Sequence, residues 1–193
     1  MKSNKRGQAS IIKREQIQAL YDKASPDLRL FLQIFRYTGE RPQAVLSLEQ
    51  NICYHEDGTV KDRLLFKGIT RKQAAGKPAK DRVVLVREEL KKELDCYDRH
   101  NSIYMFASPR NLSKPLTYHG LRYRFEKLLE KCGFQHHNFS LYRYRRTVAD
   151  KLSRQALTPK ELMDAMGWKS YSSAIPYMEV NREVVDNAMR SLD

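Results

Sequence analysis

Apolar residues at helical spacing fill most of this chain, and a single interval near its middle breaks that pattern. Between residues 50 and 86 the sequence changes to short β-branched or apolar runs, which the turn signals Asp57-Gly58 and Gly76-Lys77-Pro78 separate. Strand-type runs bounded by such turns are typical of antiparallel hairpins. The sequence therefore predicts the α+β class, a mainly α-helical protein with one small antiparallel β-sheet.

The predicted helices lie on both sides of this sheet in the sequence. We predict strands over 51–54, 63–70 and 81–86, and helices over 11–23, 28–37, 41–48, 87–97, 117–132, 139–154, 158–166 and 181–191. Gly39 is expected to end the second helix, and Thr158-Pro159-Lys160-Glu161 is a capping box that begins a later one. Residues 1–10 are polar and are expected to form a flexible arm, whereas 11–193 are expected to form one domain.

The charge balance indicates the class of partner. The 193 residues include 36 Lys and Arg against 23 Asp and Glu, which gives a formal net charge of +13. An excess of this size favours a polyanionic partner, and nucleic acid is the commonest one. A basic protein with a merely solvated charged face is the alternative that composition alone leaves open.

Cysteine spacing and hydropathy narrow the protein class further. Cys53, Cys96 and Cys132 are isolated and form no CxxC pair. This argues against a zinc site or a disulfide framework and fits a reducing cytosol. No apolar run approaches the roughly 18 residues of a membrane span, and none follows the basic start as in a signal peptide. We expect a cytoplasmic protein with no metal site and no membrane contact.

Four short clusters stand in a fixed order along the chain. They are Thr38-Gly39-Glu40-Arg41 followed by Leu46-Ser47-Leu48, the run from Tyr142 to Asp150, Met166-Gly167-Trp168, and Tyr177, which follows Trp168 by nine residues. Together they resemble the motifs of the tyrosine recombinases, the phage-integrase family: TGxRxxExxxL, HxxRHxxAT, an LGH or LGW turn, and a tyrosine nine residues on. Any one cluster is weak evidence, because a lone Arg or Tyr is usually a surface or packing residue. Four clusters in order form a strong signal.

The resemblance covers roughly residues 11–193 and implies the family's catalytic-domain fold, with the N-terminal core-binding domain absent. It implies that Arg41 and Arg145 are the catalytic arginines, that Trp168 is a phosphate ligand and that Tyr177 is the nucleophile. Attack by Tyr177 would form a 3′-phosphotyrosyl link, which conserves bond energy for rejoining. Guanidiniums suit this reaction because they present always-charged donor forks to the oxygens of a pentavalent phosphorus. The resemblance implies no cofactor and no metal.

A lysine that protonates the leaving 5′-oxygen is also implied, and two candidates compete for this role. The run from Gly76 to Val84 looks like the GKGxKDRxV hairpin of many members, which nominates Lys77. Thr70-Arg71-Lys72 looks like the equivalent lysine of members with a longer hairpin, which nominates Lys72. The letters favour Lys77 slightly, and both candidates stay open.

Three positions depart from the family's pattern. Tyr142 stands where the histidine of HxxR is usual, Arg146 follows the second arginine in place of a histidine, and Ala44 replaces the glutamate three residues after the first arginine. A phenol cannot accept a proton at neutral pH as imidazole can, so Tyr142 is expected to act as a hydrogen-bonding group. The lost glutamate normally supports structure.

These motifs predict a site-specific recombinase or integrase of a phage or mobile element. The expected partner is double-stranded DNA, with self-association to a tetramer on DNA and a nucleoid-associated, cytoplasmic location. Tyr142 also raises two alternatives. One is a hairpin telomere resolvase or topoisomerase-like enzyme, and the other is a DNA-binding regulator that descends from an integrase and does not cut.

Overall fold

The computed structural model describes residues 12–70, 80–137, 139–155, 158–178 and 189–190 of the chain. The chain groups into two compact units, Met1–Val148 and Ala149–Asp193. The predicted arm at 1–10 lies outside the described residues, as does nearly all of the predicted final helix at 181–191.

Helices form most of the first unit, and all but the fourth lie at predicted helix positions. They are α1 (Arg14–Lys23), α2 (Pro26–Thr38), α3 (Pro42–Leu46), α4 (Gln50–Cys53), α5 (Glu88–Asp95), α6 (Tyr118–Lys131) and α7 (Leu141–Ser153), whose last turn belongs to the second unit. Gly39 ends α2 with a φ of 60°, as predicted. This left-handed conformation favours a residue without a Cβ atom.

The β-structure differs from the predicted three-stranded sheet. Strands β1 (Arg63–Phe66) and β2 (Arg82–Leu85) form a two-stranded antiparallel hairpin. The predicted strand at 51–54 is wrong, because most of it lies in the helical turn α4 and its last residue, Tyr54, makes an isolated bridge to Val60. A short apolar run has the same pattern in a buried strand and in a buried helical turn, so periodicity could not separate the two.

A second hairpin lies where the sequence predicts no strand. Strands β3 (Ala107–Ser108) and β4 (Asn111–Pro115) pair antiparallel with an irregular register. Most of β4 is exposed, and it carries Asn, Ser, Lys and Pro. Such residues are depleted in strands or have no clear preference for them. The composition of this segment therefore did not predict a hairpin.

Helix α2 lies at the centre of the core of the first unit. The ring of Phe35 stacks on that of Tyr144 in α7 with centroids 5.9 Å apart, and Phe31 meets Phe106 edge to face at 5.5 Å. Burial raises the pKa of the Tyr144 phenol well above its ordinary value, so Tyr144 is a packing residue and not an acid or base. These contacts hold α2 and α7 together, and with them the segment that follows Gly39.

The second unit is built around α8 (Pro159–Met166). Its predicted capping box is confirmed: the hydroxyl of Thr158 accepts a hydrogen bond from the backbone N–H of Glu161, whose carboxylate accepts one from the backbone N–H of Thr158 at 2.7 Å. Gly167 ends the helix with a φ of 60°, and two 3-10 turns follow, Tyr171–Ser173 and Ile175–Tyr177. In the described part of the chain, no helix is long and apolar enough to cross a membrane.

Candidate active site

The first predicted arginine lies at the junction of α2 and α3. Arg41 is the residue before α3, and Pro42 occupies the first position of that helix, where its missing N–H costs nothing. The Arg41 side chain is partly buried. Its backbone N–H donates to the Glu40 carboxylate at 2.9 Å, so the backbone at this arginine is fixed by a neighbouring acidic side chain.

The second predicted arginine reaches the same segment from α7. Arg145 is 7% exposed, and its guanidinium donates a hydrogen bond to the carbonyl of Gly39. The same guanidinium lies 3.7 Å from the carboxylate of Glu40. The structure thus brings Arg145 to the backbone that carries Arg41, although the two residues are far apart in sequence.

Two residues that sequence reasoning left without a role complete this cluster. Glu40 is wholly buried, and its carboxylate accepts a hydrogen bond from the Arg82 guanidinium at 3.0 Å. Arg82 also donates to the carbonyl of Thr38 at 2.9 Å. The sequence contained one indication of this role, because Glu40 lies inside the first motif. A carboxylate that is buried there requires cationic partners.

Tyr142, which replaces the usual histidine, lies in the first turn of α7 with 53% of its surface exposed. The phenol of Tyr118, at the start of α6, lies near it: burial, and then the neighbouring Tyr142, raise the pKa of Tyr118. Ala44, where a glutamate is usual, is a buried methyl group in α3. Tyr142 is therefore open to a ligand, whereas position 44 belongs to the core.

Arg143 is a structural residue and does not belong to an exposed basic face. Its guanidinium lies 4.3 Å from the ring centroid of Phe139 and donates to the carbonyl of His137 at 2.9 Å. Burial, and then the charge of Arg146, lower the pKa of Arg143. These contacts hold the Arg143 guanidinium against the start of α7.

The other two predicted residues lie close together in the second unit. The rings of Trp168 and Tyr177 stack with centroids 5.3 Å apart and an interplanar angle of 25°. The backbone N–H of Trp168 donates to the carbonyl of Met163 at 2.8 Å, and that of Tyr177 donates to the carbonyl of Ala174 at 2.9 Å. The left-handed Gly167 and the 3-10 turn thus place the indole against the predicted nucleophile.

Both candidate lysines, Lys72 and Lys77, lie outside the described residues, so the choice between them stays open. Their segment is 71–79, between β1 and β2. The residues that flank it are connected, because the backbone N–H of Gly68 donates to the Asp81 carboxylate at 2.7 Å.

Comparison with known proteins finds one matching family model and several solved structures of similar fold. The model of the phage integrase family matches residues 10–183. The structure of the Tn1549 transposon integrase in complex with transposon right end DNA is similar with a TM-score of 0.74 at 13% identity, covering 97% of this chain and 67% of that one. The XerH recombinase in a pre-cleavage complex with its difH substrate gives a TM-score of 0.69 at 18% identity, covering 95% and 54%.

The catalytic domain of bacteriophage HP1 integrase gives a TM-score of 0.60 at 16% identity and matches over 93% of this chain and 95% of that domain. By contrast, the chain spans about half of the XerH structure and two thirds of the Tn1549 structure. No curated protein matches the chain by sequence. At these identities the solved structures show the fold, and the mainly helical fold with small antiparallel sheets is the predicted one.

Proposed function

Because the chain belongs to the phage integrase family, we propose that it cuts and rejoins DNA at specific sites as a tyrosine recombinase. The observation that carries the proposal is the meeting of Arg145 with the Gly39–Arg41 segment. Arginines held in place before the substrate arrives can stabilise charge that develops on a phosphate, and such fixed donors are usually the largest single catalytic contribution.

The proposed reaction is a transesterification at phosphorus. The phenolic oxygen of Tyr177 attacks, a tyrosyl O–P bond forms, and the bond from phosphorus to the 5′-oxygen breaks. The attacking phenol loses its proton, and Lys72 or Lys77 gives one to the departing oxygen. A 5′-hydroxyl reverses these steps when it attacks the phosphotyrosine, so no external energy source is needed.

Arg41 and Arg145 serve this reaction by binding the non-bridging oxygens of the phosphate, where negative charge increases in the transition state. Trp168 contributes an indole N–H, its single donor, to the same phosphate. A phenol in water ionises only at about pH 10, so the arginines must favour the phenolate as it forms. Tyr142 adds a hydrogen bond from its exposed phenol.

Double-stranded DNA is the proposed partner. The Tn1549 and XerH structures contain DNA, and the net charge of +13 suits a polyanion. We further propose that copies of the protein assemble as a tetramer on paired DNA sites, as the family resemblance implies. The protein would then act on DNA of a phage or mobile element at the nucleoid.

A covalent adduct tests the proposal. A random library of nicked duplexes, whose cut strand loses a short 5′-hydroxyl fragment, is incubated with the protein, and covalently attached DNA is recovered from denaturing gels. We expect attachment to a subset of sequences, and none with Tyr177→Phe. Tyr171→Phe, which changes an exposed tyrosine in the preceding turn, is the matched control and should keep the adduct. Attachment that persists in Tyr177→Phe would contradict the assignment.

Tyr142 favours two other functions, which the same library separates. A regulator that does not cut would bind selected duplexes tightly and form no adduct. A telomere resolvase or topoisomerase-like enzyme would form the adduct, and would then seal hairpin ends or relax supercoiled plasmid without exchanging strands between two sites.

The general acid is identified with a sulfur leaving group. Lys72→Ala and Lys77→Ala are compared on substrates with a 5′-oxygen or a 5′-thiol at the cut site. A thiolate leaves without a proton, so the variant that lacks the acid should cut the oxygen substrate slowly and the sulfur substrate at nearly the wild-type rate. If the sulfur substrate rescues neither variant, both assignments are wrong.

A further inference from the structure

The carboxylate of Glu40 lies at the centre of the arginine cluster. One oxygen, Oε1, accepts the backbone N–H of Arg41 at 2.9 Å and lies 3.7 Å from Nη1 of Arg145. The other, Oε2, lies 3.0 Å from Nη1 of Arg82. We infer that Glu40 is a positioning residue that aims the Arg145 guanidinium during DNA cleavage, an inference that rests on the proposed recombinase function.

Burial makes these contacts strong. The side chain of Glu40 has no exposed surface, and those of Arg145 and Arg82 are 8% and 10% exposed. An ion pair this well buried cannot exchange its partners for water, and removing one member leaves an uncompensated charge. On this short segment the Arg145 guanidinium thus donates a hydrogen bond to the Gly39 carbonyl and forms an ion pair with the Glu40 carboxylate.

Charge explains why an acid is needed at this place. Arg145 and Arg82 approach one carboxylate from α7 and from β2, and like charges at such range would otherwise repel each other. The negative charge of Glu40, with which both guanidiniums pair, offsets this repulsion. A neutral residue would remove the negative charge with which both guanidiniums pair.

One departure from the family's pattern lies on the same segment as Glu40. The glutamate expected three residues after the first arginine is Ala44, a buried methyl group. Glu40 places a buried carboxylate on the same segment, directly before that arginine.

Arg82 connects Glu40 to the hairpin of β1 and β2. It is the first residue of β2, the strand that follows the segment of both candidate lysines, and it also donates to the Thr38 carbonyl at 2.9 Å. Glu40 and Thr38 together therefore fix where β2 begins relative to the end of α2. One carboxylate sets the position of a catalytic arginine and of the strand that leads from the lysine segment.

Glu40→Gln tests the inference, because it keeps the shape of the side chain and removes the charge. Two quantities are measured on a substrate selected from the nicked library: the single-turnover rate of adduct formation, and the Kd for the intact duplex. We expect the rate to fall at least about 10-fold, because the buried Arg145 and Arg82 guanidiniums lose the negative charge with which both pair. The Kd should stay within twofold or become tighter, since a negative charge is lost. A merely structural defect would lower both the rate of adduct formation and the affinity for the intact duplex.

Glu49→Gln is the matched control. Glu49 also pairs with a cation, Lys67, at 2.8 Å, but it takes no part in the arginine cluster. Its variant should cut at the wild-type rate. A Glu40→Gln rate within twofold of wild type, or an equal loss in Glu49→Gln, would overturn the inference while the proposed function stands. Failure of the wild-type protein to form any adduct would overturn the proposed function itself.

Arg82→Lys carries the same test if Glu40→Gln does not fold, as judged by thermal unfolding. A lysine keeps the positive charge but lacks the planar donor fork with which Arg82 binds Glu40 and the Thr38 carbonyl at once. We expect the same slow cleavage with unchanged DNA affinity. Wild-type cleavage by folded Arg82→Lys would overturn the inference.

Discussion

At the scale of single residues, the two predicted arginines have different surroundings. Arg145 is buried and is bound by Gly39 and Glu40, whereas the side chain of Arg41 is only partly buried. The motif letters nominated both arginines, and their catalytic role stays a prediction. These letters could not predict Glu40 or Arg82, because the burial of a charge depends on contacts between residues that are distant in sequence.

Arg145→Lys should slow adduct formation on the order of 100-fold or more, because a lysine keeps the charge but loses the planar donor fork. Arg122→Lys is the control, since Arg122 is exposed on α6 and pairs with Glu126. The measurement is the single-turnover rate on a nicked substrate. A rate for Arg145→Lys equal to that of the control would contradict a catalytic role.

At the scale of elements, helices were predicted better than strands. Each described helix from 87 onward has a predicted counterpart whose ends agree to within three residues. The helix α4 was mistaken for a strand, and the hairpin of β3 and β4 was missed, because runs of two to five residues carry too little periodicity. Gly39 was predicted as a helix end, but its carbonyl contact with Arg145 follows only from the fold.

Gly39→Ala should lower both stability and cleavage. An Ala at a φ of 60° costs about 1–2 kcal/mol, and any backbone shift moves the carbonyl that binds Arg145. Gly133→Ala is the matched control, because Gly133 has a φ of 73° and an added methyl would meet no atom within 4 Å. Both variants should lose similar free energy of unfolding in urea, but only Gly39→Ala should cut slowly. Equal cleavage rates of the two variants would show that Gly39 has no specific role in the site.

At the scale of the whole molecule, composition and motif order predicted the fold class and the family. The excess of positive charge favours a polyanionic partner, and double-stranded DNA as that partner stays a prediction. Nothing in the sequence marks the boundary between the two units, because it falls inside α7, where the helical pattern continues. Continuous periodicity predicts a helix but not how residues group around it.

Salt should weaken DNA binding steeply. If the protein neutralises about six phosphates, its affinity should fall roughly 1000-fold between about 50 and 200 mM salt, because bound counterions are released. Fluorescence anisotropy with a labelled duplex measures this, and Tyr177→Phe keeps cleavage from interfering. A change of less than tenfold would show that phosphate contacts do not dominate binding.

The identity of the attached tyrosine tests the central claim most directly. After adduct formation, nuclease and trypsin digestion should leave a nucleotide on the peptide of residues 170–182, which contains Tyr171 and Tyr177. Fragmentation in a mass spectrometer then locates the added mass. We predict a phosphotyrosyl nucleotide on Tyr177. A nucleotide on Tyr171, on Tyr142 or on any other residue would contradict the account.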